Sequence, residues 1–368
     1  MKRLLIFHNT IAPYRIDFFN DLYSKFECKI CLEYENLQDQ KFDYQKIKDQ
    51  FVFRPNYLNT LFAIRGKSVY SGLWEQIDKF HPDIVLTNEF NQITIAVLLH
   101  RFLKRGKYKV ISVCDDSYDM VVNDNDFSKV HKIARKLIVP LLDNLILLDS
   151  GATQWYEQKY KKGFFFPLIK DEQKARKIYE NITDKSNEIV EQLSLKNKKV
   201  TLFVGRCVAL KNVNILIEAF ARLNQKENVL IIIGDGNKKE EWKILADRLH
   251  VNTVFAGRLE GNELYAYYNI ANVFVLPSYL EPFGAVTNEA LLAGCDCLVS
   301  NKAGSRVLIK IGYNGDIFNP MDANECFEKL KKLLDDQMPI ENIFLRKNKM
   351  IYFYEDFINK LVDFLNNI

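Results

Sequence analysis

The sequence predicts an α/β protein made of two Rossmann-like domains, each a parallel sheet with connecting helices. Three observations predict this class. The chain has 368 residues, more than one ordinary domain holds, and divides naturally into two of roughly 150–200 residues. Short continuous apolar runs alternate with helical patterns in both halves, the pattern of strands covered on both faces. Val273–Ser300 reads as strand, loop, helix and strand. At 48% hydrophobic residues, with 26 Phe and 18 Tyr, the chain can fill two cores and is not a disordered segment. A net charge of +4 argues against nucleic acid as a partner. The excess lies entirely in residues 1–168, with 24 Lys/Arg against 20 Asp/Glu.

In the first half, Leu4–Phe7 reads as a buried strand and Ile16–Lys25 as the helix after it. Further apolar runs at Cys28–Leu32, Ile84–Thr87, Val110–Val113, Leu145–Leu148 and Phe164–Phe166 read as strands. Helical patterns at Leu73–Phe80, Gln92–Arg105 and Thr153–Lys161 separate several of them. Parallel sheets bind ligands beyond the carboxyl ends of their strands, so the residues just after each strand carry the information. After the first strand come Pro13, Tyr14 and Arg15, where Arg15 suits either an anion or a local structural contact. After Val110–Val113 come Asp115 and Asp116, two adjacent carboxylates at a strand end that suit ligand hydroxyl groups or a helix cap. Asp124 and Asp126 form an Asp-x-Asp pair in a polar stretch that reads as a solvent loop. Lys129, Lys132, Arg135 and Lys136 recur at helical spacing with Val130, Ile133 and Leu137 between them. Such a face suits solvent, anionic lipid headgroups or a lipid diphosphate.

The boundary between halves is placed after Leu168, with the polar, helix-prone Asp171–Leu195 leading to a second core that begins at Val200. The strand Val200–Val204 exits at Gly205-Arg206, and Lys211 stands where the helix Val213–Leu223 opens. A cation at a strand end and another at the next helix entry can converge on a pyrophosphate. Val229–Ile233 leads to Gly234-Asp235-Gly236, a tight turn, and Phe255–Leu259 contains Arg258. Then Val273–Leu276 reaches Glu281-Pro282-Phe283-Gly284, followed by a helix over Ala285–Ala293 and the strand that begins at Leu298. Amide groups at that helix start, with Gly284 beside them, offer an anion site. Seven cysteines include Cys28-x2-Cys31 and Cys295-x-Cys297, which lack zinc-like partners and read as buried thiols. The start of the chain reads as a strand, with no secretory leader, and Leu137–Leu148 is too short to span a bilayer. These features predict a cytoplasmic protein.

Glu281-x7-Glu289 around Phe283-Gly284, together with Gly205-Arg206 and Lys211, resembles the large family 4 of retaining glycosyltransferases with the GT-B fold. The resemblance implies an acceptor domain at 1–168, a nucleotide-sugar domain at 169–349 and a final helical segment, 350–368, that crosses back to the first domain. Phe353 and Phe357 would suit that packing. The parallel sheets of such a protein face a central cleft. Catalytic roles fall to Glu281, Arg206 and Lys211, and donor binding to Glu289, Phe283, Gly284, Ala285, Val286, Gly205, Gly234 and Arg258. Tyr14, Arg15, Asp115 and Asp116 would meet the acceptor or the sugar. No cofactor or metal is implied: a UDP- or GDP-sugar is the donor, and a glycan or polyprenyl-diphosphate-linked acceptor receives the sugar. Bacterial capsule, O-antigen or exopolysaccharide synthesis is the implied setting, with peripheral contact to anionic membrane through the N-terminal domain. The sequence departs from the pattern in two places. Residues 1–65 hold no glycine where several relatives have a glycine-rich loop, and Val307 stands where a glutamate is common. A nucleotide-sugar epimerase of the same fold, or a non-catalytic binding scaffold, is the alternative reading.

Overall fold

The computed structural model describes residues 1–36, 42–64, 67–122, 129–341 and 345–368. Asp124 and Asp126 lie outside the described residues. The chain forms two compact units, Met1–Leu168 with Glu355–Ile368, and Ile169–Tyr354.

The first unit is built on a seven-stranded sheet. Across it run Asn56–Tyr57, Glu27–Leu32, Arg3–His8, Ile84–Asn88, Lys109–Cys114, Asn144–Leu147 and Phe164–Phe165, all parallel. Parallel neighbours need crossover connections, and the helices Ile16–Lys25, Leu73–Phe80, Gln92–Leu103, Lys129–Ile138 and Ser150–Tyr160 lie in them. Strand order reverses beside Arg3–His8, so the loops after His8 and Asn88 meet at a topological switch point. The core packs Leu5, Phe7, Val85, Val97, Val110, Leu145 and Tyr156. A small antiparallel hairpin, Asn59–Ile64 with Lys67–Ser71, was not expected from the sequence. The helix expected from Thr153 begins at Ser150, because Asp149 caps it by accepting from the Ala152 N–H at 2.9 Å.

The second unit repeats the plan with six parallel strands in the order Thr253–Gly257, Asn228–Ile233, Lys199–Val204, Val273–Leu276, Asp296–Ser300 and Gly315–Phe318. This is the Rossmann order, with its switch point between Lys199–Val204 and Val273–Leu276. Phe203, Leu216, Phe220, Leu230, Trp242, Val275 and Phe318 fill its core. The helix predicted over Ala285–Ala293 occupies Val286–Leu292, closed by Gly294 at φ +87°.

The return to the first unit comes later than Met350. Met350 is buried in the second unit, where its sulfur accepts from Asn288 Nδ2 at 3.2 Å, and only Glu355 onward belongs to the first. In the helix Tyr354–Asn367, Phe357 packs edge-on to Phe165 at 5.6 Å and Phe364 stacks on Phe164 at 4.6 Å. Phe353 was expected to pack there too, but it precedes the helix and is exposed. Among the described residues no helix is long and apolar enough to cross a membrane. All seven cysteines are free, and all but Cys28 are fully buried. Burial pushes the Cys28 and Cys31 thiols up to about 12, so neither is a ready metal-binding thiolate.

Candidate active site

In the second unit Lys211 and Glu281 meet at the switch point, on the loops after Lys199–Val204 and Val273–Leu276. The strand Lys199–Val204 ends at Gly205, and the following turn places Lys211 Cε 3.5 Å from where a Gly205 side chain would begin. Lys211 therefore lies back across the strand exit. There its ammonium forms a short ion pair with Glu281, both side chains 15% exposed. The Tyr279 N–H donates to the Leu210 carbonyl at 2.9 Å, tying the two loops together. Arg206 follows Gly205 at the same strand exit, exposed and without an ion-pair partner among the described residues.

The Glu281 loop is held from beneath by the segment after Asp296–Ser300. Gly304 N–H donates to the Glu281 carbonyl at 3.0 Å and Ser305 N–H to the Phe283 carbonyl at 2.6 Å. A Cβ on Gly304 would sit 2.0 Å from the Pro282 carbonyl oxygen, so only glycine permits this approach. Gly284, at φ +92°, carries the chain into the helix that begins at Val286, and Phe283 anchors the turn by burying its ring. Ala285 and Val286 form the helix start. Gly234 packs against the same strand exit: a side chain there would meet the Gly205 carbonyl oxygen at 1.8 Å. Arg258 sits at the end of Thr253–Gly257, exposed, with Nε donating to Glu260 at 3.0 Å.

Glu289 occupies a different environment from Glu281. It is buried, and Oε1 accepts from the Lys170 ammonium at 2.6 Å while Oε2 accepts from the Tyr268 hydroxyl at 3.1 Å. Lys170 also donates to the Tyr265 hydroxyl at 2.6 Å. Burial works against the Lys170 charge, but Glu289 and Tyr265 outweigh it and raise the pKa above the usual lysine value. Sequence reasoning missed Lys170, Tyr265 and Tyr268. Lys170 sits in the boundary segment between the two sheets, where no periodicity or spacing marks it.

The first unit holds a second polar cluster at its own switch point. Arg15 is buried and pairs with Asp115 at 2.6 Å, while the Asp115 side chain keeps 40% of its surface. Its neighbour Asp116 is only 2% exposed, accepts from the Tyr156 hydroxyl at 2.5 Å, and lies 3.9 Å from Arg135 Nη1. The structure thus separates the two aspartates: Asp115 faces outward from the strand end and Asp116 ties interior elements together. Tyr14 lies in the short 3-10 turn Pro13–Arg15 that delivers Arg15.

Glu89, which sequence reasoning missed, joins them. It takes a left-handed backbone, φ +59°, and its carbonyl is held by the Ser112 and Thr94 hydroxyls at 2.8 and 2.7 Å. Its carboxylate accepts the Asp115 N–H at 2.9 Å. Burial, then the charges of Asp115 and Asp116, raise Glu89 to about 8. Donor atoms of Glu89, Cys114 and Asp116 lie within 4.8 Å of one another. A cation there would displace the Cys114 and Tyr156 donors, and burial disfavours the Cys114 thiolate. The set is better described as a hydrogen-bonded acid cluster.

Two Rossmann-like domains with these switch points define the GT-B fold, and the chain adopts it. Over all of both chains it superposes on Anabaena HepE, solved in complex with UDP, with a TM-score of 0.78 at 15% identity. Residues 184–350, most of the second unit, match the family described as Glycosyl transferases group 1. Among characterised and uncharacterised relatives, an uncharacterized glycosyltransferase of Methanocaldococcus jannaschii is 33% identical over 42% of this chain. That match spans only 41% of the Methanocaldococcus protein. The N-acetylgalactosamine-N,N'-diacetylbacillosaminyl-diphospho-undecaprenol 4-alpha-N-acetylgalactosaminyltransferase of Campylobacter jejuni is 29% identical over 67% of this chain and 66% of its own length.

Proposed function

We propose that this chain is a retaining, metal-independent glycosyltransferase that moves a sugar from a UDP- or GDP-sugar to a glycan or polyprenyl-diphosphate-linked acceptor. The observation that carries the reading is the Lys211–Glu281 pair, joined across the loops at the carboxyl ends of two strands that flank a switch point, with Arg206 at one of those strand exits. When a nucleotide sugar breaks down, negative charge gathers on the distal phosphate. Arg206, Lys211 and the amides of Gly284, Ala285 and Val286 offer that charge fixed positive partners, the work a divalent cation does elsewhere. Glu281 balances Lys211 before the donor arrives and orients sugar hydroxyls once it is bound. Phe283 and Gly284 shape the loop, Gly205 and Gly234 let the backbone come close, and Glu289 and Arg258 serve the nucleoside.

In this reading the departing phosphate takes the acceptor proton on the same face, so the protein need supply no nucleophilic carboxylate. Asp115, with Tyr14 and Arg15 behind it, is the acceptor-side contact, while Asp116 supports it from the interior. The undecaprenol-linked substrate in the Campylobacter enzyme's name supports the lipid-linked acceptor, and UDP bound to Anabaena HepE supports the nucleotide-sugar donor; the setting we propose is bacterial surface-polysaccharide synthesis on the cytoplasmic side of the membrane. The Glu289 carboxylate already accepts from Lys170 and Tyr268, so ribose hydroxyls would share its remaining acceptor sites; a non-catalytic nucleotide-sugar binder is the second reading.

The test is a thermal-shift panel of UDP, GDP, ADP and CMP with EDTA present. One nucleoside diphosphate should raise Tm, and the shift should vanish in Arg206→Ala/Lys211→Ala, because a native-state ligand stabilises by mass action. No shift with any nucleotide removes the donor site. A shift without sugar transfer or donor hydrolysis selects the binding-only reading.

A further inference from the structure

We propose that a pocket in the first unit, between the hairpin strand Lys67–Ser71 and the helices Leu73–Phe80 and Gln92–Leu103, holds one uncharged sugar ring of the acceptor glycan, beyond the ring that is glycosylated. The hairpin adds no strand to the seven-stranded sheet. It forms a wall instead. Gln92 Nε2 donates to the Ser68 carbonyl at 3.2 Å and pins that strand to the start of Gln92–Leu103. Trp74 forms part of the opposite side, fixed by Nε1 donating to the Ala96 carbonyl at 3.0 Å and by edge contact with His100 at 5.4 Å. The space between is about 470 Å³, within the range of small-molecule sites, roughly 300–1,000 Å³.

The lining selects the ligand. Tyr70 and Trp74 are both partly buried, and each gives part of an aromatic ring to the pocket. The polar side chains among the lining residues are mostly acceptors. Gln92 Oε1 has no partner among the described residues, since only its Nε2 is engaged. Glu75 pairs with Lys79 through Oε1 at 2.6 Å, while Oε2 turns back to 3.8 Å from where a Gly72 side chain would begin. No side chain caps the start of Leu73–Phe80, where Gly72 takes φ +75°, so its first amides add donors beside these acceptors. No Lys or Arg lines the pocket, which disfavours a phosphate or a diphosphate. A pyranose fits this chemistry: its C–H face lies on an aromatic ring while its hydroxyls donate to a carboxylate and an amide oxygen.

The pocket adjoins the acceptor-side contact through one short loop. Asp115 N–H donates to the Glu89 carboxylate at 2.9 Å, and the Glu89 carbonyl accepts from Thr94 Oγ1 at 2.7 Å. Asn91 caps the helix by accepting from the Ile93 and Thr94 N–H groups at 2.9 and 3.1 Å. Gln92, the next residue, is therefore placed by the same loop that holds Asp115. An acceptor with its reacting hydroxyl at Asp115 would extend its next sugar toward Gln92. The assignment of the ligand as acceptor rests on the glycosyl-transfer reading, whereas the pocket is tested without a donor.

The full chain is labelled with fluorotryptophan, which reports three indoles, and the Trp74 resonance is assigned with Trp74→Phe. Maltotriose, mannotriose, globotriose and chitotriose are titrated in by fluorine NMR without nucleotide. At least one is expected to move the Trp74 signal saturably while Trp242, buried in the second unit, stays still. Tyr70→Ala should weaken that binding about tenfold, and Tyr70→Phe should restore it to within about twofold. Glu75→Ala, at a side chain 58% exposed, should weaken it about fivefold with Tm unchanged. In the transfer assay these variants should raise KM for the acceptor and leave kcat nearly constant. The proposal is overturned if no trisaccharide moves Trp74, or if the movement survives both Tyr70→Ala and Glu75→Ala. A chain that is stabilised by a nucleoside diphosphate and shows no sugar response loses this pocket and keeps its donor site. One that binds sugar at Trp74 without any nucleotide response keeps the pocket and loses the donor site.

Discussion

Lys170 and Glu289 show how a buried charge is kept. Each is the other's counter-ion, with Tyr265 and Tyr268 taking further hydrogen bonds, so neither charge is left bare in the interior. Removing one partner costs more than removing both. Lys170→Met should destabilise the protein by roughly 3–5 kcal/mol in urea titration, and adding Glu289→Gln should restore much of the loss. In the first unit, His8 and Glu89 oppose each other in pH. Burial, then Arg15, depress His8 from 6.5 to about 3, so its contribution is present above pH 6.5 and is lost as pH falls toward 3. Glu89 is raised from 4.5 to about 8, so its contribution is full below pH 4.5 and is lost as pH rises toward 8. Stability should therefore decline from about pH 6.5 to 8 in the wild type, and Glu89→Gln should remove that part of the decline in pH-dependent urea melts.

At the level of elements, glycines decide how closely the loops of the candidate site approach one another. Gly234 has φ +145° and no room for a Cβ, whereas Gly257 has φ +73° and nothing within 4 Å of the position its Cβ would take. Gly257→Ala should cost only backbone strain, about 1–2 kcal/mol. Gly234→Ala adds a collision with the Gly205 carbonyl and should destabilise by clearly more, roughly 3 kcal/mol or beyond in total, with a correspondingly larger fall in Tm. Equal melting shifts for the two variants would show that the strand exit at Gly205 yields freely. The elements themselves were largely legible: Ile16–Lys25, Leu73–Phe80 and Val273–Leu276 match their apolar patterns residue for residue. The start of Ser150–Tyr160 was missed because a cap, and not an apolar period, sets it. The hairpin of Asn59–Ile64 and Lys67–Ser71 was missed although Leu61–Ile64 is a continuous apolar run, because its partner Lys67–Ser71 mixes polar and apolar residues and pairs antiparallel, outside the alternation of strands and helices.

Across the whole molecule, the chain leaves its first unit after Leu168 and returns to it at Glu355. The returning helix buries Ile358, Leu361 and Leu365 there, at 3%, 0% and 0% exposure, and Lys2 donates to the Leu365 carbonyl at 3.2 Å. Deleting Glu355–Ile368 strips three buried aliphatic side chains from the first unit, worth roughly 5 kcal/mol or more together. Hydrogen exchange should then show protection lost from Arg3–His8 and Ile84–Asn88 while Lys199–Val204 and Val273–Leu276 keep theirs. Simultaneous loss in both sheets would mean that the units unfold as one.

The sequence by itself determined the two parallel-sheet domains, because strands buried on both faces must be continuously apolar, and it marked Arg206, Lys211, Glu281 and Gly284 by their places after strands. Only the tertiary structure decided what each charge meets. It joined Lys211 to Glu281 across 70 positions and Lys170 to Glu289 across 119, gave Asp115 an outward face and Asp116 an inward one, and turned the apolar side of Lys129–Ile138 to solvent. Spacing along a chain reports a residue's local periodicity. A carboxylate's partner is set by which strand ends the sheet order brings together, and that order is a property of the fold.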